Sequence, residues 1–233
     1  MLSPPTSQLS LGVSLDDNAT FENFLISARN QQALACIADA QQQQPLIALW
    51  GANASGRTHL LQAACHQCAV AGQSTLYLPM AERAQLHPEI LEGVNTLALV
   101  CIDDVDLVAG DAVWEAALFT AFNAIRESHT QLILAANCAP GSLQIQLPDL
   151  QSRLQSCLVF QISELNDTEK LQALQLRARN RGMEMNDAVA EYILQRAGRS
   201  LQDLMLILDK LDEATLAQQR RLTIPLVKST LGW

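Results

Sequence analysis

Five short apolar runs, at residues 46–50, 75–78, 97–102, 132–136 and 158–162, are separated by stretches with helical periodicity. Runs this short and continuous read as strands buried on both faces, and parallel strands need helical crossovers between them. The clearest helical stretches are 58–71, 112–128 and 147–155, with an earlier helix expected over about 29–43 and ended by Pro45. The expected fold class is therefore α/β: a three-layer αβα domain around a five-stranded parallel sheet. Ligands of such sheets bind beyond the carboxyl ends of the strands.

After Glu164 the pattern changes, because no strand candidate remains. Asn166 to Glu169 offers a cap before a helix over 171–181, Gly182 ends that helix, and Asn186 or Asp187 opens the next. Ser200 and Asp203 resemble an abbreviated capping box, after which Leu201, Leu204, Met205, Leu208 and Leu211 share one face. A last helix spans 223–231, with Pro225 in its first turn. The expected organisation is an arm over 1–20, an α/β domain over 21–164 and a bundle of about four helices over 165–233.

The first apolar run leads into Gly51-Ala52-Asn53-Ala54-Ser55-Gly56-Arg57-Thr58. The spacing is that of a phosphate-binding loop, in which glycines let backbone N–H groups face phosphates and the hydroxyl holds Mg²⁺. Thr58 supplies the hydroxyl, while Arg57 stands where lysine is expected. Such octets also occur as plain strand-to-helix turns, so the loop alone does not decide.

The third run closes on Asp103-Asp104, about 45 residues further on, where such folds carry a metal-holding acid. Asp103 would hold Mg²⁺, directly or through water, and Asp104 could orient or deprotonate the attacking water. The fourth run ends in Asn137, either a turn former or a group that positions water. Arg153, on the helix before the last strand, is either a surface partner of Asp149 or a guanidinium offered to a neighbouring molecule's nucleotide.

The chain has 233 residues, 49% of them hydrophobic and 17% charged, with a formal net charge of -9. That charge opposes tight nonspecific nucleic-acid binding, so any link to DNA is expected through a partner. The apolar runs are too short to cross a bilayer and no leader pattern opens the chain, so a cytoplasmic address is expected. Among six cysteines only Cys65 and Cys68 have metal-like spacing, and no second pair completes a zinc site. Reduced, buried thiols are expected. In the arm, Gln8-Leu9-Ser10-Leu11-Gly12-Val13 is either an inert tail or a linear motif that docks in another protein's groove.

Taken together, the loop, acidic strand end, Asn137, late arginine and helical lid resemble the AAA+ ATPases. Within them the chain is most similar to the Hda-like relatives of the bacterial replication initiator DnaA. The resemblance rests on Thr20 to Phe24, Gly51 to Leu60, Leu91-Glu92-Gly93, Val100 to Asp103, Leu147 to Arg153, Lys170 to Arg179 and Leu222 to Lys228, and covers essentially the whole chain.

The resemblance implies that Gln8, Leu9, Leu11 and Val13 bind the β sliding clamp, with Gly12 and Val13 departing from the usual residues. It implies ADP or another nucleoside diphosphate, with Mg²⁺, held by Ala54, Ser55, Gly56, Arg57, Thr58 and His59, with Leu25 and Ile26 beside the base. It implies that Arg153 is presented to ATP bound by DnaA, promoting its hydrolysis and so restraining replication initiation. An arginine working across an interface also permits self-association. The second sensing arginine usual in such lids is replaced by Gln202, with Arg199 one turn earlier.

A self-sufficient ATPase, such as a clamp-loader subunit or helicase loader, is the competing expectation. Against the former, the arginine of Ser152-Arg153-Leu154 lacks a following cysteine and no collar domain is seen. An initiator that binds DNA itself would need a further helix-turn-helix domain after Trp233.

Overall fold

The structure is a computed structural model that describes residues 15–38, 46–198, 200–218 and 221–233. The expected clamp motif at Gln8 to Val13, the tract at 41–44 and Arg199 lie outside the described residues. The strands are β1 (Leu46–Trp50), β2 (Thr75–Pro79), β3 (Leu99–Asp103), β4 (Gln131–Ala136) and β5 (Leu158–Gln161). All pair in parallel, in the spatial order β2-β3-β4-β1-β5. β3 starts two residues later than the apolar run suggests, since residues Val94–Thr96 form a 3-10 turn closed by the Leu97 N–H on the Val94 carbonyl.

Period-two alternation divides the strand residues between two cores. Ala48, Val100, Ile102, Leu132 and Leu134 face one side, which is covered by α3 (Ala112–Arg126) and α4 (Pro148–Gln155). Ile47, Leu49, Leu99, Cys101, Ile133 and Ala135 face the other, under α1 (Gln31–Ala38) and α2 (Arg57–Val70). Both faces of the central strands β1, β3 and β4 are buried, which explains why these read as continuous apolar runs, while β5 at the sheet edge is largely exposed.

The remaining helices are α5 (Asp167–Asn180), α6 (Asp187–Arg196), α7 (Leu201–Gln218) and α8 (Ile224–Leu231). They enclose a third core built on Leu174, Ile193, Leu204, Leu208, Leu211 and Val227. α5 begins four residues before its apolar stripe because Asn166 and Glu169 form a full capping box. At α7 the Ser200 hydroxyl accepts from the Gln202 N–H, 3.2 Å away. The architecture is an αβα sandwich with an all-α lid. Cys65, Cys101 and Cys157 are buried, and all six cysteines are free thiols.

Candidate functional site

The chain leaves β1 at its carboxyl end, where the Gly51 N–H reaches the Ala136 carbonyl of β4 at 3.3 Å. A side chain at Gly51 would place its Cβ 2.2 Å from the Ile162 carbonyl oxygen. Gly56 sits at φ 99°, and a Cβ there would lie 2.8 Å from the Phe24 ring. Both glycines are therefore required by space, and Gly56 also by backbone conformation. Ala54 takes φ 62° as well, so two left-handed residues curl the loop, and the Ser55 N–H closes a turn on the Ala52 carbonyl at 3.2 Å. α2 then starts at Arg57 with no side-chain cap, which leaves its first N–H groups facing the loop.

Arg57 is 6% exposed. Its Nη2 lies 3.7 Å from Asp104 Oδ1, while its Nη1 and the nearby Ser55 hydroxyl are buried without a partner among the described residues. Buried polar groups are normally satisfied, so an anion with several acceptor oxygens fits this loop. Thr58, on the first turn of α2, is exposed.

Asp103 ends β3 and is 2% exposed. Its Oδ2 accepts from the Tyr77 hydroxyl at 2.9 Å and its Oδ1 from the Asp104 N–H at 3.1 Å. Burial and the Asp103 carboxylate push the Tyr77 phenol well above its ordinary range. Asp104 occupies the left-handed region at φ 51°. Burial and Asp103 raise its pKa, and Arg57 opposes that rise. Asn137, exposed at the end of β4, donates its N–H to Asp106 Oδ1 at 3.0 Å. The two loops beyond β3 and β4 are thereby joined.

Across the loop the lid closes a narrow cleft. Its walls include Phe24, Leu25, Gly56, His59 and, from the lid, Ala173, Arg177, Leu201 and Met205. His59 Nε2–H donates to the Thr20 carbonyl at 2.8 Å, and its Nδ1 accepts from Arg177 Nη2 at 3.1 Å. Burial is the main reason the imidazole pKa falls to about 4, so the ring is neutral. Arg177 also donates to the Asn18 carbonyl at 3.1 Å, and Asn180 to the Glu22 carbonyl and Asn23 Oδ1 at 2.9 Å each. Of the arm expected over 1–20, residues 16–20 thus lie bonded between α2 and α5. Ile26 is 62% exposed and stands outside the cleft walls that include Leu25.

Arg153 occupies the last turn of α4 and is half-buried. Among the described residues it makes no ion pair, and the alternative pairing with Asp149 does not form. The structure brings together Ser55, Gly56, Arg57, Asp104 and His59, and keeps Arg153 on a separate helix. Sequence reading missed Phe24 as a wall and missed Arg177, Leu201 and Met205 as lid contributors. Only the aromatic pair at Phe21 and Phe24 hinted at the first.

The strand order, the glycine loop after β1 and the all-α lid define the AAA+ class of P-loop fold. Two family models match the chain: the bacterial DnaA ATPase domain over residues 15–161 and the Hda lid domain over 167–231. The chain belongs to the DnaA-related AAA+ family and carries an Hda-type lid. Domain III of Thermotoga maritima DnaA is similar in fold, with a TM-score of 0.75 at 19% identity, covering 94% of this chain and 98% of that one. AMPPCP-bound DnaA from Aquifex aeolicus follows at 0.69 and 21%, covering 88% and 71%. The Thermotoga maritima RuvB branch migration motor aligns at 0.66 and 14%, covering 92% and 71%.

Proposed function

We propose that this protein is a negative regulator of replication initiation, one that promotes hydrolysis of ATP held by DnaA. Gln8, Leu9, Leu11 and Val13 dock on the DNA-loaded β clamp, which brings the protein to its target. Residues 21–164 form the nucleotide-binding domain and 165–233 the lid. Arg153 then reaches the partner's ATP and stabilises charge on the transferring phosphoryl oxygens. The observation that carries this reading is an arginine on α4 that makes no ion pair among the described residues, in a chain of the DnaA-related family.

The protein's own site binds ADP or another nucleoside diphosphate. Ser55 Oγ and Arg57 Nη1, both lacking partners among the described residues, would take phosphate oxygens, and backbone donors at 56–58 would complete the cradle. Thr58 and Asp103 would hold Mg²⁺, Asp103 directly or through water, since each of its oxygens keeps a lone pair beyond the one hydrogen bond it accepts. Leu25 and His59 flank the base. Arg57 shares its guanidinium between phosphate and Asp104, an arrangement suited to occupancy over turnover. Asp104 and Asn137 therefore serve binding geometry more than rapid hydrolysis. The protein works in the cytoplasm, and its net charge of -9 leaves DNA contact to its partners.

Phosphate release from ATP-loaded DnaA, measured with clamp-loaded DNA, tests the proposal. Arg153→Ala is expected to remove stimulation while sparing clamp binding, and Gln8→Ala with Leu11→Ala to remove clamp binding. Full stimulation by the Arg153 variant overturns the mechanism. Rapid ATP turnover by the isolated protein would favour a self-sufficient ATPase.

A further inference from the structure

Glu115 is 1% exposed, although it is an acid in the first turns of α3. A buried carboxylate is costly unless hydrogen bonds satisfy its oxygens. Here backbone N–H groups from two different loops do so. Oε1 accepts from Gly110 at 2.8 Å and from Gln146 at 3.0 Å, and Oε2 accepts from Gln146 at 3.0 Å and from Leu147 at 2.7 Å. Gly110 belongs to the loop that follows Asp103 and Asp104, while Gln146 and Leu147 lead directly into α4.

α4 has no side-chain cap of its own: Leu147 occupies the cap position and Pro148 follows. The Glu115 carboxylate therefore anchors the start of the helix that carries Arg153. Neighbouring Asp106 fastens the same β3–α3 loop to the end of β4 through the Asn137 N–H. Two carboxylates thus join the loops beyond β3 and β4, but only Glu115 reaches the entry of α4.

We infer that Glu115 is a positioning residue for the arginine helix: its carboxylate fixes the first turn of α4 and so sets where the Arg153 guanidinium points. The inference rests on the proposed role of Arg153 for its functional consequence, and on the hydrogen bonds alone for its structural one. A displacement of about 1 Å in a catalytic group costs on the order of 100-fold in rate, so a loosened helix entry would act on the reaction while leaving encounter intact. Glu115→Gln keeps the shape but sets an NH₂ donor against backbone donors.

The experiment measures stimulated phosphate release from ATP-loaded DnaA against the concentration of the full-length variant, with clamp-loaded DNA. Amide hydrogen exchange of the same variant is followed residue by residue. Glu115→Gln is expected to lower the maximal rate by roughly 10-fold to 100-fold. The half-maximal concentration and the affinity for ADP are expected to stay within about twofold, because neither surface is touched. Exchange should speed up at Gly110, Gln146, Leu147 and along α4, but not in α2 or the lid.

A merely structural role would instead lower stability, raise exchange throughout and reduce the concentration of active protein without this split. Should Glu115→Gln fail to fold, Leu147→Pro deletes one donor and leaves the carboxylate intact, and the same split is expected. An unchanged maximal rate with unchanged exchange at Gly110 and Gln146 overturns the inference. If Arg153→Ala retains full stimulation, the proposed function fails, and exchange at these amides alone then decides the role of Glu115: acceleration confined to α4 supports it and no change refutes it.

Discussion

The phosphate loop and α4 each carry an arginine, and the two sit in opposite surroundings. Arg57 is buried at the start of α2, with one arm toward Asp104 and the other without a partner among the described residues. Arg153 is half-buried at the end of α4 and holds no carboxylate among the described residues. A guanidinium that is buried beside an acid is fixed and desolvated, which suits it to a small anion held in place. One left unpaired near the surface keeps its forked donors for an oxyanion brought by another molecule. The same residue type thus serves two sites, and packing separates the tasks.

The contrast is broken most directly at Arg153. Arg153→Ala is expected to reduce stimulated hydrolysis of DnaA-bound ATP by about 10³-fold or more, the range in which arginine fingers act. Its own affinity for ADP, measured by calorimetry, should not change. A matching loss of ADP affinity would show that the two sites are one and would end the comparison.

A smaller effect belongs to the loop side alone. His59 is neutral because burial lowers its pKa from 6.5 to about 4. The unfolded chain takes up that proton more readily than the folded one, so stability rises with pH across this window. The contribution is fully present above pH 6.5 and is lost as pH falls toward 4, by about 3 kcal/mol at most. Protonation would also set a cation against Arg177 and remove the acceptor at Nδ1. Arg177 and Asp16 are the charged side chains facing the ring, with the His66 imidazole beside them. Urea denaturation from pH 7 to 4 checks this, and His59→Gln should remove that part of the slope. An unchanged slope would place the acid sensitivity elsewhere.

The two regions were also unequally legible in the sequence. Strands buried on both faces announce themselves as apolar runs, and the loop between β1 and α2 has a fixed spacing, so the chain order of that side's strands and the position of its loop were legible. The cleft could not, because Arg177, Leu201 and Met205 come from the lid, more than 100 residues downstream of His59. Local periodicity marks Leu201 and Met205 as part of an apolar stripe but cannot say that they face Gly56 rather than the lid core. Glu115 is a subtler case. It falls on the stripe of Leu118 and Phe122, so an acid on an apolar face was a visible anomaly whose partners, backbone amides at 110 and 146–147, were not.

Arg57 gives the smallest effect and the sharpest separation. Arg57→Met keeps much of the buried volume but removes the charge, and two consequences follow. The phosphate loses a charged hydrogen bond worth about 1.5–3 kcal/mol, so ADP affinity should fall roughly 10-fold to 100-fold. Asp104 loses the cation that opposes its raised pKa, so the carboxyl should move further up. At ADP concentrations that saturate the weakened site, α4 is unaltered and maximal stimulation of DnaA should return to the wild-type value. Calorimetry and phosphate release on the same preparation measure both. If stimulation stays low at saturation, Arg57 acts on the partner's ATP through more than occupancy, and the division between an inward and an outward arginine fails.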